Sequence, residues 1–297
     1  MVALKGLSAF PITPMDAAGR VDTAALSRLL APLVEAGVDS IGLLGSTGSY
    51  PFLARAERRR AVEVAIDSAG RRVPILVGVG ALRTDEAVAL AKDARDAGAS
   101  AGLLAAVSYT PLTDDEVFEH FATVARESRL PICIYDNFAT THFRFTPALV
   151  GRLARLDGVI AVKGTSPEPA QAAAHHAALR DAVPAGFSVG YAGDWNVTEM
   201  LLAGGEAWYS VAGGLFPKRC LAIVRAAEAG DAGEARRLNA QLQPLWDLFK
   251  EFSSLRVTYA LAGILDICRA EPPRPILPLP DAATQRIAAV ARTLDLS

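Results

Sequence analysis

One pattern constrains this chain more than any other: a helical stretch that closes on a small residue and a glycine, followed by a short apolar run, repeats about every thirty residues, the size of a βα pair with its loops. The clearest example starts at Asp22, a suitable N-cap. Leu26, Leu29, Leu30, Leu33 and Val34 then fall at i, i+3, i+4, i+7 and i+8 before Gly37 ends the helix. Pro32 lies inside that helix and is expected to kink it. After Gly37 comes the buried-strand run Ser40-Ile41-Gly42-Leu43-Leu44, and the same grammar returns at Ala97-Gly98-Ala99 and Ala203-Gly204-Gly205.

Strands are expected near residues 7–12, 40–44, 74–79, 101–106, 131–135, 158–163, 186–190 and 207–211, with helices between them. Eight such strands before residue 220 predict an α/β fold, a (β/α)8 TIM barrel. A doubly wound sheet is the alternative, and Gly78-Val79-Gly80 is its best support as the start of a dinucleotide fingerprint. Arg83 stands where the last glycine of that motif is needed, so the spacing favours ordinary loop chemistry. Beyond about residue 217 the strand signals stop. Helices are expected over 217–229, 231–250 and 254–267, and from Pro280 to Leu294 after the proline-rich Pro272-Pro273-Arg274-Pro275. This divides the chain into a barrel at 1–220 and a C-terminal helical region at 221–297.

Composition narrows the function classes. With 51% apolar and 21% charged residues the chain carries enough apolar material for a large core, which excludes disorder. A net charge of −2, without long runs of one sign, offers no footprint for nucleic acid or an anionic membrane. A small molecule or another copy of the chain is the expected partner. Cys133, Cys220 and Cys268 lie far apart and outside any C-x-x-C pair, pointing to a reducing compartment. The opening Met1-Val2-Ala3-Leu4-Lys5-Gly6 lacks the pattern of a leader, no apolar run is long enough to span a bilayer, and a cytoplasmic location is expected.

In a barrel enzyme the chemistry sits at the C-terminal ends of the strands. Lys163 follows Val159-Ile160-Ala161-Val162 there, and of the lysines at 5, 92, 163, 218 and 250 only it ends an apolar strand in this way. Desolvation would favour its neutral amine, a nucleophile for a carbonyl carbon; the bland alternative is a lysine that snorkels outward or pairs with a carboxylate. Tyr135 ends the fifth strand and is expected to point inward near Lys163, either relaying protons or merely packing. The loop Gly45-Ser46-Thr47-Gly48-Ser49 presents hydroxyls and backbone N–H groups that suit a carboxylate, or is a solvated turn. It is neither a P-loop nor a nucleophile elbow. Tyr109 sits in a loop that can reach a site or a neighbouring subunit. His120, His142, His175 and His176 show no metal-ligand spacing, and the pair at 175 and 176 is expected on a helix surface; no metal is predicted.

Together these residues resemble the dihydrodipicolinate synthase and N-acetylneuraminate lyase family. The resemblance spans nearly the whole chain: Ala9-Phe10-Pro11-Ile12-Thr13-Pro14 with Asp16, Gly45-Ser46-Thr47-Gly48, Tyr135, Lys163, Gly193-Asp194, and Gly204-Gly205 with Ser210. It implies a (β/α)8 barrel with C-terminal helices, commonly a homotetramer, and no cofactor beyond a covalent imine between Lys163 and pyruvate or another 2-keto acid. It further implies that Tyr135 shuttles protons, that Ser46 and Thr47 bind the keto-acid carboxylate, that Thr47 links Tyr135 into a relay, and that Tyr109 is donated by a neighbouring subunit.

The departures bear on substrate. Ser49 replaces the family's usual glutamate. Tyr135-Asp136-Asn137-Phe138-Ala139-Thr140-Thr141 stands where lysine-pathway synthases carry Y-N-x-P-x-R-T-G, so Thr140 replaces the arginine that grips the aldehyde's carboxylate. Arg144 is a candidate substitute clamp, and Trp208-Tyr209 is expected to add bulk beside the imine. The sequence therefore favours an aldolase or dehydratase acting on a 2-keto or 2-keto-3-deoxy acid. Authentic 4-hydroxy-tetrahydrodipicolinate synthesis and a non-catalytic keto-acid-binding barrel are the alternatives.

Overall fold

A computed structural model describes residues 4–296; residues 1–3, part of the opening stretch inspected for a leader, and residue 297 lie outside the described residues. In chain order the elements are β1 (Gly6–Ala9), α1 (Thr23–Ala36), β2 (Ser40–Leu43), α2 (Arg55–Ala69), β3 (Ile75–Gly78), α3 (Thr84–Ala97), β4 (Ala101–Ala105), α4 (Asp114–Ser128) and β5 (Ile132–Tyr135). Then follow α5 (Phe138–Thr141), α6 (Pro147–Leu153), β6 (Val159–Thr165), α7 (Ala172–Ala182), β7 (Ser188–Ala192), α8 (Val197–Leu202), β8 (Ala207–Ser210) and α9 (Pro217–Glu228). The chain closes with α10 (Ala232–Gln241), α11 (Gln243–Phe252), α12 (Ser254–Ile264) and α13 (Asp281–Thr293). The eight strands are parallel and form a closed barrel in sequential order, β8 returning to β1.

Local chemistry starts and stops the helices as the sequence implies. Asp22 accepts the Ala25 N–H at the start of α1, and Gly37 ends it in the left-handed conformation at φ 69°. Thr113 and Glu116 form a reciprocal capping box on α4. Alternation along each strand then divides the apolar residues into two layers. Outward residues such as Leu7, Ile41, Val77, Leu104, Ile134, Val162 and Trp208 pack beneath the helices, while Phe10, Leu103, Cys133, Tyr135, Ala161 and Tyr209 fill the barrel. Each fully buried Leu or Val in these layers contributes roughly 1.5–3 kcal/mol.

The inner layer holds two aromatic rings because glycines make room for them. A Cβ at Gly42 would lie 2.1 Å from the Phe10 ring, and one at Gly190 would lie 2.7 Å from Tyr209. The rings of Phe10 and Tyr209 meet edge to face at a centroid distance of 6.0 Å.

Three expectations need correction. The single helix expected over 231–250 is two, α10 and α11, because Pro244 supplies no N–H for a continuous helix and starts a new one. His176 is buried rather than on the surface, its Nδ1 lying 3.0 Å from the Tyr191 hydroxyl. Residue 220 lies inside α9, which packs against β1 and α1 as an outer barrel helix, so the division at 220/221 would cut a helix. We propose to place it after Glu228. The C-terminal helices are anchored by a cluster joining Tyr259, Ala262 and Cys268 to Ile12, Ala25 and Leu29.

Candidate active site

Parallel register places the candidate residues side by side. Tyr135 at the end of β5 pairs directly with Lys163 on β6, and both lie on the inward parity of their strands. Lys163 is 6% exposed. Its Nζ sits 3.7 Å from the centroid of the Phe10 ring, 4.8 Å from that of Tyr135 and 5.8 Å from that of Tyr209. Three ring systems thus surround one amine. Burial pulls its pKa from 10.5 down to about 8, with only partial relief from Cys133 and Asp194. The outward-snorkelling alternative does not hold, and among the described residues no carboxylate lies within ion-pair distance.

Beneath the lysine, the Tyr209 hydroxyl lies 3.7 Å from Cys133 Sγ, and burial pushes the thiol up to about 12. Trp208 takes no part in the pocket. It faces the helices and donates its indole N–H to Asp194, so only Tyr209 of that pair brings bulk to the lysine. Asp194 also accepts the Ala212 N–H, tying the turn after β8 to the segment after β7; burial raises its pKa.

The Tyr135 phenol is the hub of the polar network. Ser46 Oγ lies 2.9 Å away, Asn137 Nδ2 donates to it at 3.1 Å, and Thr140 Oγ1 stands 3.5 Å off. Thr47 is buried one residue further along, and the hydrogen bond to Tyr135 expected of Thr47 is made by Ser46. The backbone N–H groups of Ser46 and Thr47 donate to no protein acceptor among the described residues, leaving a pair of donors at the barrel mouth. The loop's shape depends on Leu44, at φ 55°, whose carbonyl lies where a Cβ on Gly78 would be, 1.7 Å away. Only glycine fits at 78.

Other residues stay apart from the lysine. Tyr109 is 98% exposed and touches no site residue of its own chain. Arg144 is exposed on the rim, its guanidinium 4.7 Å above the Phe138 ring. Ser49 is buried, at φ 54°, where the family glutamate would stand. Clefts of about 470 and 600 Å³ lie beside Arg269 and the segment around Asp16, away from the lysine, and bring no nucleophile together. Among the described residues no group of three or more His, Cys, Asp or Glu is arranged to hold a metal ion.

Sequence reasoning missed Phe10, Cys133 and Asn137 as members of the site. Phe10 carries no chemistry of its own, and only its pairing with Gly42 across the barrel hints that it points inward. Asn137 was visible as a polar residue two positions after Tyr135, in the segment that departs from the family pattern.

Comparison with known proteins gives a consistent picture. A profile of the Dihydrodipicolinate synthetase family matches residues 3–294. The 4-hydroxy-tetrahydrodipicolinate synthase of Methylococcus capsulatus is 33% identical over 250 residues, 84% of each chain. That of Alcanivorax borkumensis is 32% identical over 288 residues, 96% of each chain. A crystal structure of dihydrodipicolinate synthase from Agrobacterium tumefaciens superposes with a TM-score of 0.96 at 55% identity, covering 98% of both chains.

Proposed function

Because the chain belongs to the dihydrodipicolinate synthetase family and is a lyase of the class I aldolase type, we propose that Lys163 is its Schiff-base nucleophile toward pyruvate or a related 2-keto acid. The observation that carries this assignment is the buried Lys163 amine beside the Tyr135 phenol. At neutral pH, a lysine with a pKa of about 8 has roughly a tenth of its molecules in the neutral form, against well under a thousandth at 10.5.

The amine adds to the keto carbon and gives a carbinolamine. Its hydroxyl takes the Tyr135 proton and leaves as water, the nitrogen lone pair closes the C=N bond, and Tyr135 is left as phenolate until a proton returns through Ser46. The imine then withdraws electrons from the adjacent carbon, allowing aldol bond formation, cleavage or loss of a β-hydroxyl. The chemistry needs no prosthetic group. Ser46 and Thr47 hold the keto-acid carboxylate through their N–H groups and hydroxyls, a preorganised donor pair of the kind that stabilises anions. Phe10 and Tyr209 exclude water around the nitrogen, and Tyr209 sets the floor of the pocket.

The second substrate is set by what replaces the arginine clamp. Thr140 offers a hydroxyl where a bidentate cation would hold a carboxylate, so we assign an aldehyde or keto-acid tail that is polar and uncharged at that end. A second reading, condensation with aspartate semialdehyde, is favoured by the names of the relatives. Turnover assays separate the two: kcat/KM for hydroxylated neutral aldehydes should exceed that for aspartate semialdehyde by about tenfold or more, since a lost charge-assisted pair is worth over 1.4 kcal/mol. The opposite ranking overturns the assignment at Thr140. Lys163→Ala should abolish turnover with every substrate while leaving the fold intact.

We also propose that the protein works as a homo-oligomer and that it resides in the cytoplasm, the latter motivated by three free, buried cysteines. Among the described residues no helix is long and apolar enough to cross a membrane.

A further inference from the structure

We infer that Asn137 is a positioning residue that orients the Tyr135 phenol from within the same chain. The inference rests on the reading of Lys163 as the Schiff-base lysine and deepens it. Three polar groups surround the phenolic oxygen, and their donor capacities differ. Asn137 Nδ2 can only donate, and it does so at 3.1 Å, occupying one lone pair of the phenol. Thr140 has one hydroxyl hydrogen, which it gives to the Asn137 carbonyl at 3.1 Å. Ser46 Oγ, at 2.9 Å, is then the nearest acceptor left for the phenolic proton.

The phenol is thereby directed between Ser46 and the reacting oxygen above Lys163. Asn137 is itself held from below. Its backbone carbonyl accepts from the Thr140 and Thr141 N–H groups and from both of their hydroxyls, at 3.0–3.1 Å. Four donors on one carbonyl fix the turn that starts α5, and so fix where the Asn137 amide points. The exposed Tyr109 makes none of these contacts. The contacts that orient the proton donor here all come from within one chain.

The discriminating substitution is Asn137→Asp, which keeps the shape of the side chain and replaces its donor with an acceptor. The measurement is a time course of pyruvate trapped on Lys163 by borohydride, followed by peptide mass mapping at saturating pyruvate, with melting temperatures recorded alongside. Wild type should accumulate the adduct. Asn137→Asp should melt at the same temperature, reach the same final extent and do so at least about tenfold more slowly, the low end of what placed proton transfer contributes. Asn137→Ala, which leaves the phenol untethered but unopposed, should lie between the two. Adduct formation by Asn137→Asp at the wild-type rate overturns the inference, as does an Ala variant slower than the Asp variant, since shape rather than donation would then matter. Absence of any adduct in wild type instead removes the reading of Lys163, and the inference with it.

Discussion

Lys163 makes the fold carry a cost that its chemistry requires. A site that prefers the neutral amine, with a pKa near 8 rather than 10.5, penalises the protonated lysine by on the order of 3 kcal/mol below pH 8. The folded protein gives up this proton at a lower pH than the unfolded chain does. Stability from this group therefore rises as pH goes from about 8 to 10.5, and the penalty is present in full below that window. Lys163→Met, which keeps an unbranched stem and removes the charge, should raise the unfolding free energy at pH 7 by up to that amount. The gain should fade toward pH 10.5; a gain independent of pH in denaturant titrations would mean that the lysine is not desolvated. The placement of Lys163 beside Tyr135 was legible in the sequence because both end apolar strands of one barrel. Ser46 and Thr47 were legible as a pair, but the division of labour between them depends on which hydroxyl the loop turns toward Tyr135, a one-residue choice that spacing alone does not make.

At the scale of elements, the barrel interior works as a set of size pairs: Gly42 with Phe10, Gly190 with Tyr209. Gly42→Ala would drive a methyl into the Phe10 ring, which is held against Tyr209 and the lysine. This overpacking should cost roughly 1–3 kcal/mol in chemical denaturation, and adding Phe10→Leu should recover part of it, a coupling that independent sites would not show. The strands themselves were legible because buried parallel strands read as short β-branched and apolar runs bounded by glycine. The pairing of inner residues was not, since it links positions on different strands, 32 residues apart for Phe10 and Gly42 and 19 for Gly190 and Tyr209, through register. The break between α10 and α11 was within reach, because Pro244 marks it. An apolar stripe continuing on both sides of the proline hid it.

The whole molecule carries its exposed large apolar side chains unevenly. Leu82, Tyr109 and Phe138 stand in the segments that follow β3, β4 and β5 at the C-terminal end of the barrel, around the lysine's mouth. An oligomer that covers this face accounts for all three. Sedimentation should accordingly give a mass that is a multiple of 31.2 kDa, and Tyr109→Ala should shift the distribution toward the monomer; a monomer at micromolar concentration contradicts the oligomer. The overall architecture was the most legible feature, because a repeated βα unit with right-handed crossovers has few ways to close. The boundary after the barrel was less so, since α9 is a barrel helix with no strand after it to mark its role.

One covalent bond, between Lys163 and the keto carbon, underlies the proposed chemistry. Incubation with pyruvate, reduction with borohydride and peptide mapping test it directly: a reduced pyruvate adduct on the peptide containing Lys163, absent from Lys163→Ala, is the predicted result. An adduct on any other lysine, or none from pyruvate and larger 2-keto acids alike, would contradict the central claim.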